Sequence, residues 1–425
     1  MGGATPEERI DTVVVGGGHA GLCMSLELQR AGREHVVLEK ARVLEQWRSA
    51  RWDSFTINSP VAFSRLPGQV DDLPDRARGV PLDVMVRAWD ECVARRRLPV
   101  RERSEVRSVS RTGTGRFLVE VAGADGPRRY AALNVVAAPG RHQVPALPRC
   151  AADLDPAVRQ LRVGTYTKPA ALPDGAVLVV GGGQTGMQLA EELAHAGREV
   201  HLATSRVAGT PRDHRGEDVM FWLDRIGSLW APRDRCGDRH DPMPVVGQDH
   251  PLSHHSLARL GVRLLGGLAG VAEDGATVMF RDDLHANVAH AERGYREVLA
   301  RIEGWVAALD PAERAAYPPP TPEPAWEPHR PLLESTPPGS LSLRDNGITT
   351  VVWATGWSAD FGWLRVEEVR RSLDARGFPD TCETTVDGFF WLGFDGLRTC
   401  SSGTVSGFPL DAAHIATRLR DHADS

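Results

Sequence analysis

Two glycine-rich turns carry the most legible chemistry in the chain: Gly16-Gly17-Gly18-His19-Ala20-Gly21 and Gly181-Gly182-Gly183-Gln184-Thr185-Gly186. Each follows an apolar run, Val13-Val14-Val15 in one case and Leu178-Val179-Val180 in the other, and each opens a patterned segment. In such a turn the first glycine (Gly16, Gly181) permits the tight reversal. The second (Gly18, Gly183) lets the backbone approach a pyrophosphate, and the third (Gly21, Gly186) lets a helix pack on the sheet. The phosphates then face free N–H groups at a helix N-terminus. One such turn is weak evidence, because glycines also open helices for structural reasons. Two in register are strong.

The match extends beyond the turns. Glu27-Leu28 corresponds to Glu192-Leu193, and Ala31-Gly32-Arg33-Glu34 to Ala196-Gly197-Arg198-Glu199, so a whole strand-loop-helix-turn-strand unit repeats. The copies part at the end of the second strand, where one has Glu39-Lys40 and the other Thr204-Ser205-Arg206. A carboxylate there accepts hydrogen bonds from a ribose hydroxyl and repels a 2′-phosphate, whereas an arginine attracts one. The first copy is therefore read as the adenosine end of an FAD site, with His19, Ala20, Glu39 and Lys40 beside the glycines. The second is read as an NADPH site, with Arg206 as the 2′-phosphate clamp, Ser205 as its helper and Thr204 as a weaker one. The alternative for Arg206 is a solvated strand-end arginine. Gln184 and Thr185 either touch the pyrophosphate or only start the helix.

The elements that must position these groups are also visible. Pro81 to Arg97 reads as an amphipathic helix lined by Val84, Ala88 and Cys92. Alternating Phe117, Val119 and Val121 read as a strand, as does the run from Leu133 to Ala138 before Pro139-Gly140. Proline-rich Val144 to Pro148 reads as a linker. A strand from Ile348 leads into the turn at Gly356, and a strand near Phe389 and a helix from Leu410 close the chain. This order predicts an α/β fold with two Rossmann-like dinucleotide-binding domains, the NADPH domain inserted into the FAD domain: residues 1–170, 171–334 and 335–425.

Composition bounds the partners. With 425 residues and a net charge of −6 the chain gives no reason to expect nucleic acid, and Arg95-Arg96-Arg97 is read as solvating a helix end. No apolar run approaches bilayer-spanning length. The N-terminus lacks a cationic-then-apolar signal pattern and Pro6 spoils a myristoylation match, so a cytoplasmic enzyme is expected, a homodimer remaining compatible. Six cysteines, at 23, 92, 150, 236, 382 and 400, form no Cys-x-x-Cys pair. They are expected to be reduced and mostly buried, which disfavours disulfide-reducing chemistry. His240, His250, His254 and His255 with Asp241 and Asp249 could be drawn as a metal set. Adjacent histidines on a strand would face opposite sides, and no metal is expected.

The chain resembles the class B flavoprotein monooxygenases. The resemblance rests on both dinucleotide loops, Gln46-Trp47 after the first unit, Ala138-Pro139-Gly140 at a domain crossover, and Trp353-Ala354-Thr355-Gly356-Trp357 near the end, which looks like the family's Ala-Thr-Gly-aromatic motif. The run Arg51-Trp52-Asp53-Ser54 is similar to a bacterial branch of FAD-dependent monooxygenases. The family's fingerprint before Tyr166 is degenerate, with Pro156, Val158 and Arg162 at its Phe, Gly and His positions.

The resemblance implies NADPH reduction of FAD, formation of a C4a-(hydro)peroxyflavin with dioxygen, and oxygenation of a small organic substrate. It implies Asn58, in Thr56-Ile57-Asn58, as the amide beside the flavin. The alternative for Asn58 is an Asx-turn before Ser59-Pro60. It likewise implies Gln46, Trp47, Pro139, Gly140, Ala354, Thr355, Gly356 and Ser402 as cofactor neighbours, with core packing or helix capping as the alternative for Trp47 and Ser402. Trp222, Trp363, Trp391 and Phe394 either line a substrate pocket or fill the core. Two other readings compete with an oxygenase: an FAD/NADPH oxidoreductase serving a quinone or protein acceptor without oxygen insertion, and a non-enzymatic flavin-binding redox sensor.

Overall fold

The computed structural model describes residues 7–238 and 241–421; Pro6 and His240 lie outside them. The continuous apolar runs form parallel strands buried on both faces, as such runs should when helices or further layers cover each side. The first sheet has its strands in the order Val100–Arg101, His35–Leu38, Glu7–Val15, Gly126–Ala137, Phe117–Gly123 and Ser104–Arg111, with Phe389–Trp391 joining Gly126–Ala137 in parallel. Val13, Val14 and Val37 are wholly buried in its core. Phe117–Gly123 and Ser104–Arg111 run antiparallel, forming a three-stranded extension with the start of Gly126–Ala137.

A second sheet repeats the plan. Arg263–Leu265, Val200–Ala203, Ala176–Val180, Ile348–Trp353 and Arg159–Arg162 are parallel neighbours in that order. An antiparallel trio of Leu268–Val271, Thr277–Phe280 and Ser340–Ser342 accompanies it. The strands Arg159–Arg162 and Ile348–Trp353 lie outside the expected span 171–334 yet hydrogen-bond into this sheet. Local pattern identifies Ile348–Trp353 as a strand but not the sheet it joins, because partner choice is set by contacts distant in sequence.

The helix expected from Pro81 spans Leu82–Arg96, with Pro81 as its N-cap residue. Its buried face is Met85, Val86, Trp89 and Cys92, a row displaced from the expected Val84 and Ala88. Tryptophan decides the matter: Trp89 is wholly buried and donates its indole N–H to the Ser64 carbonyl at 2.9 Å. The expected linker at Val144–Pro145 forms a short antiparallel pair with Trp357–Ser358. No helix among the described residues is long and apolar enough to cross a membrane.

Candidate functional site

Each glycine turn is built by the same two close approaches. Gly16 and Gly181 have φ of +105° and +122°, where a side chain is strained. A Cβ at Gly16 would lie 2.3 Å from the Ala138 carbonyl oxygen, and one at Gly181 would lie 2.3 Å from that of Ala354. Ala138-Pro139-Gly140 and Ala354-Thr355-Gly356 are therefore equivalent parts, each closing over one glycine turn. A Cβ at Gly21 would sit 1.9 Å from the Gly16 carbonyl oxygen, and one at Gly186 would sit 1.8 Å from that of Gly181. These glycines let the helices His19–Arg30 and Gln184–His195 start hard against the turns.

The middle glycines differ in a telling way. A Cβ at Gly18 or Gly183 would meet nothing within 4 Å. Both are helix N-caps in extended conformation with no side chain capping the helix. Open space in front of uncapped N–H groups fits a diphosphate, which would satisfy those donors and interact favourably with the helix dipole.

The strand ends carry the predicted asymmetry. Glu39 is buried, and its carboxylate accepts from Gly17 N–H at 2.7 Å and from Ala41 N–H at 2.9 Å. Each carboxylate oxygen has a further lone pair for a ribose hydroxyl. In the second copy Ser205 takes that place, its Oγ accepting from Gly182 N–H at 3.0 Å. Arg206 is exposed, and its Nε donates to His290 Nδ1 at 3.4 Å. Lys40 is exposed. Thr204 is buried and spent: it donates to the Leu265 carbonyl at 2.7 Å and accepts from Asn287 at 3.1 Å. Gln184 is likewise engaged, with both ends of its amide on the backbone of Val246 and Gly247. Thr185 is half-buried.

The His19 side chain turns away from the glycine turn. Its ring points into the core, edge-on to Trp89 at 5.1 Å and bonded to the Ser64 carbonyl at 3.1 Å. Burial lowers its pKa to about 4, so it is neutral. Ala20 is buried in the first turn of the same helix and would meet a Cβ on Gly393 at 3.1 Å.

Between the two turns lies the segment 44–58. Leu44 is in the left-handed region at φ 60°, a conformation that favours glycine, but its wholly buried side chain offsets the strain. Gln46 is exposed, while Trp47 lies 5.4 Å from Trp89 and under the Arg51 guanidinium at 5.1 Å. Trp47, Arg51, Trp52, Phe55 and Val86 line a cavity of about 750 Å³. Phe55 packs against both cores.

Asn58 bridges the two halves. Its Oδ1 accepts from Gln188 on the second glycine helix at 3.0 Å, and its backbone carbonyl accepts from Arg212 at 2.9 Å. The side-chain oxygen is thus held and the NH₂ group is the end left to donate. Gln188 and Arg212 could not be found from sequence, since only folding brings them to Asn58.

Other expectations are redirected. Gly140, at φ +83°, accepts from Gln143, while Thr355 donates to the Ala146 carbonyl at 2.5 Å. Ser402 is buried and its Oγ accepts from the N–H groups of Arg398 and Thr399 at 3.1 and 3.0 Å. Trp222, Trp391 and Phe394 are wholly buried core residues, and Trp363 packs against the first core. His254 and His255 sit on a helix, not a strand, started by a capping box at Ser253. His255 pairs with Glu292, and His250 with Glu191 and Asp249. Among the described residues no three potential ligands converge on a metal position.

The cysteines need a correction. Cys236 and Cys400 form a disulfide, so these two are not reduced thiols; the other four, at 23, 92, 150 and 382, are free. A separation of 164 residues hid the pair from any search for close spacing.

The chain is 25% identical over 421 residues to an uncharacterized CzcO-like oxidoreductase of Geobacillus kaustophilus, covering 97% of this chain and 99% of that protein. It shares its fold with a flavin-containing monooxygenase from Stenotrophomonas maltophilia, at TM-score 0.65 and 18% identity, over 96% of this chain and 98% of that one. A bacillithiol disulfide reductase from Bacillus cereus has TM-score 0.57 and 15% identity, over 96% and 98%. The model of the pyridine nucleotide-disulphide oxidoreductase family matches residues 13–226, about half of the chain, and the chain belongs to that family.

Proposed function

We propose that this oxidoreductase is an FAD-dependent, NADPH-using monooxygenase of a small organic substrate. The observation that carries the reading is the asymmetry of two otherwise equivalent turns. Buried Glu39 suits the ribose of a resident FAD, while Ser205 with exposed Arg206 suits the 2′-phosphate of an exchanging NADPH. We divide the chain accordingly into an FAD domain in two parts and an NADPH domain inserted between them, each with its own parallel sheet. The expected boundaries 1–170, 171–334 and 335–425 shift outward on this reading, because Arg159–Arg162 and Ile348–Trp353 belong with the NADPH sheet.

The flavin, when bound, supplies hydride acceptance and reaction with dioxygen. The protein's part is to bind, orient and exclude water. The turns hold the diphosphates, Trp47 and Phe55 wall the cavity, and Asn58 presents its amide NH₂ as a hydrogen-bond donor, held by Gln188 and Arg212. Likeness to the Stenotrophomonas monooxygenase supports oxygen insertion. The Cys236–Cys400 disulfide and likeness to the bacillithiol disulfide reductase favour a second reading, an FAD/NADPH oxidoreductase passing electrons to an acceptor without oxygen insertion.

A panel of amines, indoles, ketones and thioethers incubated with NADPH and isotopically labelled dioxygen separates the two. A monooxygenase places one labelled oxygen atom in product. NADPH consumption without label in any product, sustained by a quinone or disulfide instead, overturns the leading reading.

A further inference from the structure

The disulfide joins two segments that meet beside the first glycine helix. Residues 229–236 run antiparallel to residues 398–401: Ser401 N–H donates to the Leu229 carbonyl at 3.1 Å, Cys400 N–H to Ala231 at 3.0 Å, and Arg233 N–H to Arg398 at 2.9 Å. The Arg233 guanidinium adds an ion pair to Asp380 at 2.5 Å. Residues 398–401 belong to the loop that leads into the helix Phe408–Ala416, and Phe408 lies 5.7 Å from the His19 ring at the start of the first glycine helix. Asp395, on the same loop, is ion-paired with Arg141, just after Pro139-Gly140. A strap from the second half of the molecule is thereby pinned to the wall of the first turn.

The two sulfurs are bonded to each other, unlike the four free thiols. Burial pushes the thiols of Cys23, Cys92, Cys150 and Cys382 above their ordinary pKa, which lowers their thiolate fraction. Cys236 and Cys400 are both partly exposed, so a thiol from solution can reach them. Their Cα atoms are 5.4 Å apart, and the strap's backbone hydrogen bonds hold them in register for re-closure.

We propose that Cys236–Cys400 is a reversible thiol–disulfide modification site whose co-reactant is a dithiol, and that its redox state sets how firmly the strap 229–236 holds the loop 395–407. In the forward step a thiolate of the dithiol attacks one sulfur of the pair and breaks the S–S bond. The second thiol of the reagent then displaces the mixed disulfide. The reagent leaves as a disulfide, and its two electrons and two protons remain as the thiols of Cys236 and Cys400. With the covalent tie gone, the strap is held by backbone hydrogen bonds and the Arg233 contacts to Asp380, which open locally far more often than a cross-linked segment.

The test uses the full chain as purified under air. Alkylation in denaturant without reductant labels the four free cysteines, and after dithiothreitol it labels all six. Titration of the native protein in buffers of reduced and oxidised dithiothreitol should then give one two-electron transition confined to Cys236 and Cys400. Hydrogen exchange of peptides covering 229–236 and 395–407 should accelerate at least about tenfold on reduction. Cys236→Ser and Cys400→Ser should show the fast exchange without reductant, and reduction of the wild type gives the same readout should either variant fold poorly. Six labelled cysteines before reduction, or equal exchange in both redox states, overturns the proposal. So does opening of the pair by NADPH alone, which would make it an internal electron acceptor. None of the labelling or dithiol arms depends on which cofactor the turns hold.

Discussion

Replacing Gly18 or Gly21 by alanine separates what the first turn does for folding from what it does for binding. At Gly21 the new Cβ would lie 1.9 Å from the Gly16 carbonyl oxygen, whereas ordinary contact begins at 3.4 Å, so helix and turn must part by about 1.5 Å. Both sit in a close-packed interior, and forced expansion there costs about 3 kcal/mol or more. That should lower Tm by roughly 3–6 °C, since the unfolding entropy grows with chain size. At Gly18, with φ of −77° and nothing within 4 Å of the added carbon, the gain of about 0.5 kcal/mol from a stiffer unfolded chain roughly offsets the loss of a favourable N-cap residue, so stability changes little. The same methyl would stand where a diphosphate meets the helix N-terminus. Loss of one or two charge-assisted hydrogen bonds, at about 1.5–3 kcal/mol each, weakens FAD binding by roughly 10- to 10,000-fold. Thermal melts by circular dichroism and FAD titration of the apoprotein read the two effects apart. The reasoning is refuted if Gly18→Ala melts with Gly21→Ala, or if it binds FAD as tightly as the wild type.

Three further outcomes follow from the same geometry. Glu39→Gln keeps an acceptor for Gly17 N–H but removes the charge, so FAD affinity should fall by about tenfold while NADPH affinity is unchanged; equal loss at both sites would contradict the assignment. Gln188→Ala frees the Asn58 amide to rotate at a cost of about 1 kcal/mol in stability, and more hydrogen peroxide should form per NADPH consumed with no change in KM for NADPH. His19 has a folded pKa of about 4 against an unfolded value near 6.5, so the stability it contributes is complete above pH 6.5 and is lost as pH falls toward 4, by about 3 kcal/mol. Acid melts of His19→Asn should show a correspondingly shallower decline over that window.

The sequence was most legible where chemistry and local geometry coincide. Gly16, Gly21, Gly181 and Gly186 are dictated by clashes with carbonyls a few residues away or on the adjoining strand, so their spacing announces the turn. What stayed hidden depends on contacts between distant segments. The residues that hold Asn58, the assignment of Ile348–Trp353 to the second sheet, and the Cys236–Cys400 bond have no local pattern to read. Thr204 and Gln184 illustrate the converse. Both residue types suit a phosphate, but Asn287 and Leu265 claim one and the 246–247 backbone claims the other. Ser205 inherits the role in the second turn that Glu39 plays in the first, one residue later than simple alignment of the repeats would put it.

The central claim is the order of the two nucleotides, with FAD at the Glu39 turn and NADPH at the Arg206 turn. The direct measurement is anaerobic reduction of the bound flavin, followed by its absorbance, in the wild type and in Arg206→Ala with NADPH and with NADH. On the proposed reading the exposed arginine, which here donates to His290, would meet the nucleotide only at its 2′-phosphate, so the variant should need about 10- to 100-fold more NADPH for half-maximal reduction, with its NADH dependence and the flavin spectrum unchanged. An equal shift for both nucleotides, or loss of FAD instead, would contradict the account.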